Sequence, residues 1–215
     1  MERKRPRRTR ERIVEAALRL FNEHGEPNVT TTAVADELDI SPGNLYYHFA
    51  NKDEIVNEIF AGFEREIRGT LAAPTQRAPT VEDAWLFLHL FFELVWKYRF
   101  FFRDLNDLLS RNRLVETHMK EIVAHSVRTA AQLCAGMVAA GDMRATPREI
   151  EALSANMVAV AIYWLSFEFV REPRRAQDAT TLARGAYHVM AMVAPFLGGD
   201  SRGHFERLAA RYLEL

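Results

Sequence analysis

Hydrophobic residues recur every three or four positions along most of this chain, and no long stretch alternates with the two-residue period of a strand. Ile13, Ala16, Ala17, Leu20 and Phe21, for example, fall on one stripe of a helix. Glycine and proline mark the ends of segments of helical length. The pattern predicts an all-α protein.

Several ends of these predicted helices are marked by capping residues. Gly25 ends the first helix, while Thr80 with Asp83 and Thr146 with Glu149 form capping boxes that begin two later ones. A short second helix follows Thr30 or Thr31, and a final amphipathic helix closes the chain. The other predicted helices are residues 9–24, 42–49, 51–71, 84–96, 100–110, 114–140, 147–171 and 176–197.

Residues 31–52 have the pattern of a helix-turn-helix, a unit that places its second helix in the major groove of DNA. The apolar positions expected to pack its two helices together are Val34, Leu38, Ile40 and Leu45. Ala35 falls at the crossing, where only a small side chain fits. Asp39 occupies the turn, where the backbone often needs a positive φ that glycine, and less often aspartate, adopts.

The second helix of this unit carries the side chains suited to DNA. Ser41 caps it and Pro42 opens it, while Gly43 allows close approach of the backbone. The side chains that can donate to phosphates or base edges are Asn44, Tyr46, Tyr47 and His48. The Asn44 amide is the best candidate for reading a base edge, since it can pair with adenine through two hydrogen bonds. Tyr47 could contact a thymine methyl group or a phosphate.

This segment resembles the DNA-binding domain of the TetR family of bacterial regulators. The resemblance includes Leu20-Phe21-x-x-His24-Gly25 before the unit and Leu45-Tyr46-Tyr47-His48-Phe49-x-Asn51-Lys52 at its end. It implies phosphate contacts from Tyr46, His48 and Lys52, and backbone contacts from Thr31 and Thr32. The alternative for Tyr46 and His48 is that they pack within the small domain.

The expected organisation is an N-terminal three-helix DNA-binding domain and a larger helical domain for ligand binding and dimerisation. We place the basic arm and helix-turn-helix in residues 1–52, a connecting helix in 53–72 and the C-terminal domain in 73–215. The family resemblance implies a homodimer through helices 147–171 and 176–197, which reads a palindromic operator in double-stranded DNA. The alternative for those two helices is an internal core face.

The net charge of −1 hides a strongly basic beginning. The basic residues of the first dozen are Arg3, Lys4, Arg5, Arg7, Arg8, Arg10 and Arg12. Beside a helix-turn-helix, such an arm predicts phosphate contacts and an affinity that falls with salt. The alternative is a solvated tail without a partner.

The C-terminal domain is rich in aromatic residues, with histidines among them. An apolar cavity with a few polar groups is the usual build of a small-molecule site. The candidates for such a site are His89, Phe92, Trp96, Phe101, His118, His125 and Trp164. Core packing is the alternative for each of them. The implied ligand is hydrophobic or aromatic, with room for one polar or acidic group.

Other functions find less support in the sequence. Catalytic and nucleotide-binding motifs are missing, and the histidines lack the spacing of a metal site, so neither an enzyme nor a cofactor is expected. Cys134 is the only cysteine and is expected to be buried. Without a secretory signal or a membrane span, the chain is expected to be cytoplasmic. The expectation is a ligand-responsive repressor; the alternative is a DNA-bound structural or partner-binding protein that senses no metabolite.

Overall fold

The computed structural model describes residues 6–71, 79–173 and 178–210 and, within them, contains helices but no strand. A single isolated β-bridge joins Met143 and Leu197. The helices are α1 Pro6–His24, α2 Thr31–Glu37, α3 Pro42–His48, α4 Lys52–Thr70, α5 Val81–Lys97, α6 Arg99–Arg103, α7 Leu105–Arg111, α8 Arg113–Ala140, α9 Pro147–Arg171, α10 Ala179–Val193 and α11 Gly199–Ala210. The all-α prediction is confirmed.

Caps fix several helix starts where the sequence predicted them. Thr30, rather than Thr31, begins α2, because its hydroxyl accepts the Ala33 N–H at 3.1 Å. Ser41 begins α3 in the same way. Thr146 and Glu149 form the predicted reciprocal capping box at the start of α9.

Two predicted helices differ from the observed ones. The predicted helix 100–110 is two helices, α6 and α7, which meet at Asp104. The predicted helix 176–197 is shorter, because α10 ends at Val193 and the chain tightens into a 3-10 turn over Ala194–Phe196. Pro195 in that turn lacks the N–H that a continuing α-helix requires. Residues 174–177 lie outside the described part.

The first of two compact units contains residues up to Arg65 together with Tyr98–His118. Its core is aromatic: the Phe60 ring meets the Phe101 ring edge to face at 5.4 Å, and Phe100 packs against Phe21 at 5.3 Å. The sequence boundaries placed residues 98–118 in the C-terminal domain. They pack in the first unit because their aromatic run completes the core of this unit.

The second unit contains Glu66–Lys97 and the chain from Met119 onward. In it, α9 and α10 form a helical hairpin, and α5 packs against α10. The Trp164 indole N–H donates to the carbonyl of Thr181 at 2.6 Å across the hairpin. The two helices approach each other so closely at Gly185 that a Cβ built there would lie 2.6 Å from the Trp164 side chain. Helix α9 is long and apolar enough to cross a membrane by length and composition, which is weak evidence for a span.

Candidate nucleic-acid interface and apolar cavity

The helix-turn-helix is built around a small apolar contact. Ala35 and Leu45 are completely buried where α2 and α3 cross, and Val34 is almost so. Asp39 in the turn has a φ of 52°, and among the described residues it is the one position other than glycine with a positive φ. The Ile40 N–H then donates to the carbonyl of Ala35, which directs the chain into α3. The predicted turn geometry is therefore present with aspartate in place of glycine.

The outer face of α3 presents large polar side chains to solvent. Tyr47 is 80% exposed and Tyr46 is 51% exposed. Pro42, Gly43 and Asn44 are exposed in the first turn of the same helix. These two aromatic side chains are therefore available for contact with a partner surface.

Hydroxyl groups from α2 join this face. The Thr31 hydroxyl lies 2.9 Å from the phenol oxygen of Tyr46, so the first turn of α2 orients a side chain of α3. Thr32 beside it is exposed. His48 is half-buried, and its ring packs edge to face against Tyr47 at 5.2 Å. We name the surface formed by α3 and the first turn of α2 the recognition face.

Lys52 lies at the start of α4 but points into the protein. Its ammonium group is 3.0 Å from a carboxylate oxygen of Glu26 and donates to the carbonyls of Glu26 and Val29, at 3.0 and 3.1 Å. The Lys52 ammonium is therefore engaged by the turn between α1 and α2. Its phosphate contact stays a prediction.

Arg10 supports the recognition face from behind, a role that its place in the basic arm did not suggest. Its guanidinium donates to the carbonyl of His48 at 2.7 Å and pairs with Glu58 at 2.8 Å. It also lies 4.1 Å from the centre of the Phe49 ring. These contacts hold the C-terminal end of α3. The Arg7 side chain and residues 1–5 lie outside the described part of the chain.

A buried carboxylate, Glu26, connects the turn between α1 and α2 to two other helices of the first unit. Its side chain is fully buried and pairs with Lys52 of α4 and Arg111 of α7. Burial alone would lower the pKa of Arg111, but its hydrogen bond to Asp107 and the charges of Glu26 and Asp53 raise that pKa above its ordinary value. The network was missed from the sequence because its partners lie far apart in the chain.

The seven predicted ligand contacts are divided between the two units. Phe101 and His118 lie in the first unit, where Phe101 is buried in the aromatic core and His118 is 2.9 Å from Glu64. In the second unit, the His89 ring stacks on Trp85, and Trp96 and His125 are half-buried. Phe92 and Trp164 are buried beside Gly185.

An apolar cavity of about 40 Å³ lies in the second unit, between α5, α8, α9 and α10. None of the seven candidates lines it. Its wall residues are Ala84, Phe87, Leu88, Phe91, Ser126, Ala130, Leu133, Cys134, Met137, Met157, Val158, Ala161, Val189 and Val193. The Ser126 hydroxyl donates to the Ile122 carbonyl at 2.9 Å. The wall therefore offers mainly dispersion contacts.

The predicted burial of Cys134 is confirmed. Its side chain is 1% exposed, and desolvation raises the pKa of the thiol to about 11. A neutral buried thiol behaves as a small apolar group.

The outer face of the α9–α10 hairpin carries a second, open apolar groove. It is lined by Ala159, Val160, Tyr163, Trp164, Phe167, His188 and Met192. Tyr163 is 45% exposed and Phe167 is 54% exposed. Of the small residues in this hairpin, Ala159 faces the groove, whereas Ala183 and Ala186 are buried within the chain.

Two family models match this chain. One described as bacterial regulatory proteins of the tetR family matches residues 13–59, and one described as a bacterial transcriptional repressor matches residues 62–205. The second match alone covers well over half of the chain.

Individual proteins agree with these models. A TetR-family transcriptional regulator from Marinobacter aquaeolei VT8 is 34% identical, with a TM-score of 0.86 over 95% of this chain and 98% of that one. The probable acrEF/envCD operon repressor of Escherichia coli K12 is 34% identical over 53 residues, 25% of this chain and 24% of that protein. The repressor KstR2 of Mycobacterium tuberculosis is 36% identical over 72 residues, 30% of this chain and 36% of that protein.

The matches to these two curated repressors span about a quarter and a third of their lengths, whereas the solved structure from Marinobacter matches almost throughout. The fold, the two family models and the Marinobacter structure all indicate the same family. The chain belongs to the TetR family of bacterial transcriptional regulators, which bind DNA and are not enzymes.

Proposed function

We propose that this protein is a homodimeric repressor that leaves a palindromic operator when a hydrophobic small molecule binds its C-terminal domain. The observation that carries the proposal is the recognition face, where Asn44, Tyr46 and Tyr47 are exposed on a helix held by buried contacts beneath it. A rigid support with exposed polar side chains is what sequence reading in a major groove needs.

Within this face, the residues have different roles. Asn44 reads a base edge, and Tyr47 lies beside it for a thymine methyl group or a phosphate. Thr31, Thr32, Tyr46 and His48 hold phosphates and fix the register. DNA can approach the backbone closely at Gly43, because the space beside this residue is open: a Cβ built there would meet no atom closer than 4.0 Å.

Dimerisation uses the outer groove of the α9–α10 hairpin. Val160, Tyr163 and Phe167 lie along this groove, and a second copy would cover them through the two-fold contact of a four-helix bundle. A dimer places two recognition faces in successive major grooves, about 34–36 Å apart, which corresponds to one DNA turn.

The proposed ligand response rests on the apolar cavity between α5, α8, α9 and α10. For a ligand to release DNA, it must bind the DNA-incompetent state more tightly than the DNA-bound state. The small volume of the cavity favours the second candidate function, a DNA-bound structural or partner-binding protein that senses no metabolite.

The test is selection of bound DNA from a random pool by the purified protein at near-physiological salt. The proposal predicts an enriched palindrome with half-sites about one turn apart. Binding without an enriched motif, lost as salt rises, would contradict it. The enriched sequence then serves as the operator in assays of ligand release. If no small molecule that binds the protein changes its affinity for this operator, the second candidate function is favoured.

A further inference from the structure

Two cations share the buried carboxylate of Glu26, in the turn between α1 and α2. The Arg111 guanidinium donates a hydrogen bond to one oxygen, Oε2. The Lys52 ammonium lies 3.0 Å from the other oxygen, Oε1. Among the described residues no donor makes a hydrogen bond to Oε1, so Lys52 meets this carboxylate as a charge, without hydrogen-bond geometry. Of the two cations, Lys52 is therefore the one that Glu26 holds less firmly.

Lys52 is placed to exchange its present contacts for a DNA phosphate. It is the first residue of α4, the helix that follows α3 of the recognition face, and 28% of its side chain is exposed. Its other two contacts are the neutral backbone carbonyls of Glu26 and Val29. A charged phosphate forms stronger hydrogen bonds with an ammonium group than a neutral carbonyl does. What opposes the exchange is the buried carboxylate that Lys52 leaves behind.

Arg111 determines how unfavourable that departure is. A buried carboxylate without a cationic partner is strongly destabilised, because it has lost its hydration. Arg111 is held beside Glu26 by contacts of its own: Nε donates to Asp107 at 2.9 Å and Nη1 to Asp53 at 3.3 Å. Both aspartates are more than half exposed, so solvent screens their charges, whereas Glu26 is fully buried. Glu26 thus keeps one cation when Lys52 leaves.

We propose that Arg111 is a positioning residue for DNA binding: by keeping Glu26 paired, it allows the Lys52 ammonium to move from that carboxylate to a DNA phosphate. In the free protein both cations neutralise Glu26; on DNA, Arg111 alone does so. This inference rests on the proposed function, because it deepens the phosphate contact predicted for Lys52.

The experiment measures how DNA affinity depends on salt. Each contact between a cation and a phosphate adds about 0.9 to the slope of log affinity against log salt concentration. Fluorescence anisotropy follows the full-length protein on two labelled duplexes of about 30 base pairs, long enough for two half-sites one turn apart. One duplex is the palindrome that the random-pool selection enriches, and the other is a scrambled sequence of the same composition.

Arg111→Met should reduce the magnitude of this slope by about 2 in a dimer, one phosphate contact for each protomer, on both duplexes. Affinity at near-physiological salt should fall by about tenfold or more. Lys52→Ala should change the slope by the same amount. Arg113→Met is the matched control, because it removes a positive charge at the start of α8 from an 85% exposed side chain that pairs with Glu116. It should keep the wild-type slope.

Glu26→Gln separates positioning from stability. Glutamine keeps the shape of the side chain but not its charge, so Lys52 can leave whether or not Arg111 is present. The double variant Glu26→Gln with Arg111→Met should therefore recover the wild-type slope that Arg111→Met alone loses. Glu26→Gln by itself should bind DNA at least as tightly as the wild type, and this tests the proposal even if Arg111→Met folds poorly.

The proposal is overturned by any of four results. These are a wild-type slope in Arg111→Met, a wild-type slope in Lys52→Ala, an equal loss of slope in Arg113→Met, or a double variant whose slope is not restored. A weaker affinity of Glu26→Gln for both duplexes would contradict it as well.

The two duplexes distinguish these results from failure of the proposed function. A protein that enriches no palindrome still gives a slope on the scrambled duplex, and that slope tests the role of Arg111. A protein that prefers the palindrome but keeps its slope in Arg111→Met is a regulator in which Arg111 only stabilises the fold. A wild-type protein that binds neither duplex would overturn both proposals.

Discussion

Asn44 and Lys52 lie close together in the chain but in different environments. Asn44 is exposed on α3, whereas the Lys52 ammonium is occupied by Glu26 and two backbone carbonyls. The position of each residue in its helix could be predicted from local pattern. The inward direction of Lys52 depends on a turn more than twenty residues earlier, which no local pattern encodes.

Asn44→Ala should therefore change sequence preference rather than overall affinity. Loss of the amide is expected to relax preference at one position per half-site by ~1–3 kcal/mol. Competition binding with operator variants at each position measures this effect. Lys52→Ala is the comparison: it removes the contacts to Glu26 and to the carbonyls of Glu26 and Val29, so it should lower the unfolding midpoint and weaken binding to all sequences alike. Equal losses on every sequence from Asn44→Ala would refute the assignment.

Arg111 should contribute to the stability of the first unit. Its removal leaves buried Glu26 with Lys52 alone, so Arg111→Met is expected to lower the free energy of unfolding by roughly 1–3 kcal/mol. Arg113→Met is the matched control, because Arg113 is an 85% exposed neighbour that pairs with Glu116 at the surface. Urea unfolding measures both, and indistinguishable midpoints would show that the buried network adds nothing.

Cys134 should report its burial through the pH dependence of its alkylation. Its pKa is raised from 9.0 to about 11, so the neutral thiol is favoured and less thiolate is present at any pH below 11. The rate with iodoacetamide should rise about tenfold per pH unit through pH 9 and level off near 11. Mass spectrometry of the native chain follows this single cysteine, with the urea-unfolded chain as control. A plateau near pH 9 in the native chain would contradict the shift.

Local capping chemistry explains which helices could be predicted. Ser41 and Thr146 each bond a backbone N–H three residues onward, so their helices begin where the sequence indicated. Residues 98–102 gave no such signal. Their hydrophobicity predicted burial, but the core that receives them belongs to the first unit. The burial of a residue can be predicted from the sequence, but the helices against which it packs cannot.

The backbone conformation in the turn of the helix-turn-helix can be tested by substitution of Asp39. Asp39 adopts a φ of 52°, which costs most residues about 1–2 kcal/mol and glycine almost nothing. Asp39→Ala is expected to destabilise the protein by about 1 kcal/mol, and Asp39→Gly to leave it as stable or more stable. Asp36→Ala, at an exposed position of α2, controls for loss of the charge. The prediction is wrong if Asp39→Ala and Asp36→Ala unfold at the same urea concentration.

The apolar cavity depends on how the helices of the second unit pack together, which the sequence does not show. Helix α5 is apolar on nearly all sides, so its sequence cannot distinguish a cavity wall from a packed core. Phe87 and Phe91 line the apolar cavity, whereas Phe92 packs at the close crossing near Gly185. Which of these phenylalanines faces the cavity depends on the rotation of α5 about its axis relative to α8 and α10. A DNA-binding regulator could be predicted, because its motif is local; the cavity could not.

The exposed apolar groove of α9 and α10 allows dimerisation to be tested. Phe167 is 54% exposed in the apolar groove of α9 and α10, and a dimer would bury it against its partner. Phe167→Glu places a charge in that contact, so sedimentation at micromolar concentration should show a monomer where the wild type is a dimer. Operator affinity should fall by at least tenfold, about 1.4 kcal/mol, because one recognition face then binds without the other. Leu86→Glu alters a 47% exposed residue of α5 that lines neither the groove nor the apolar cavity, and it should remain dimeric. A Phe167→Glu protein that still sediments as a dimer and keeps its operator affinity would move the interface away from this hairpin.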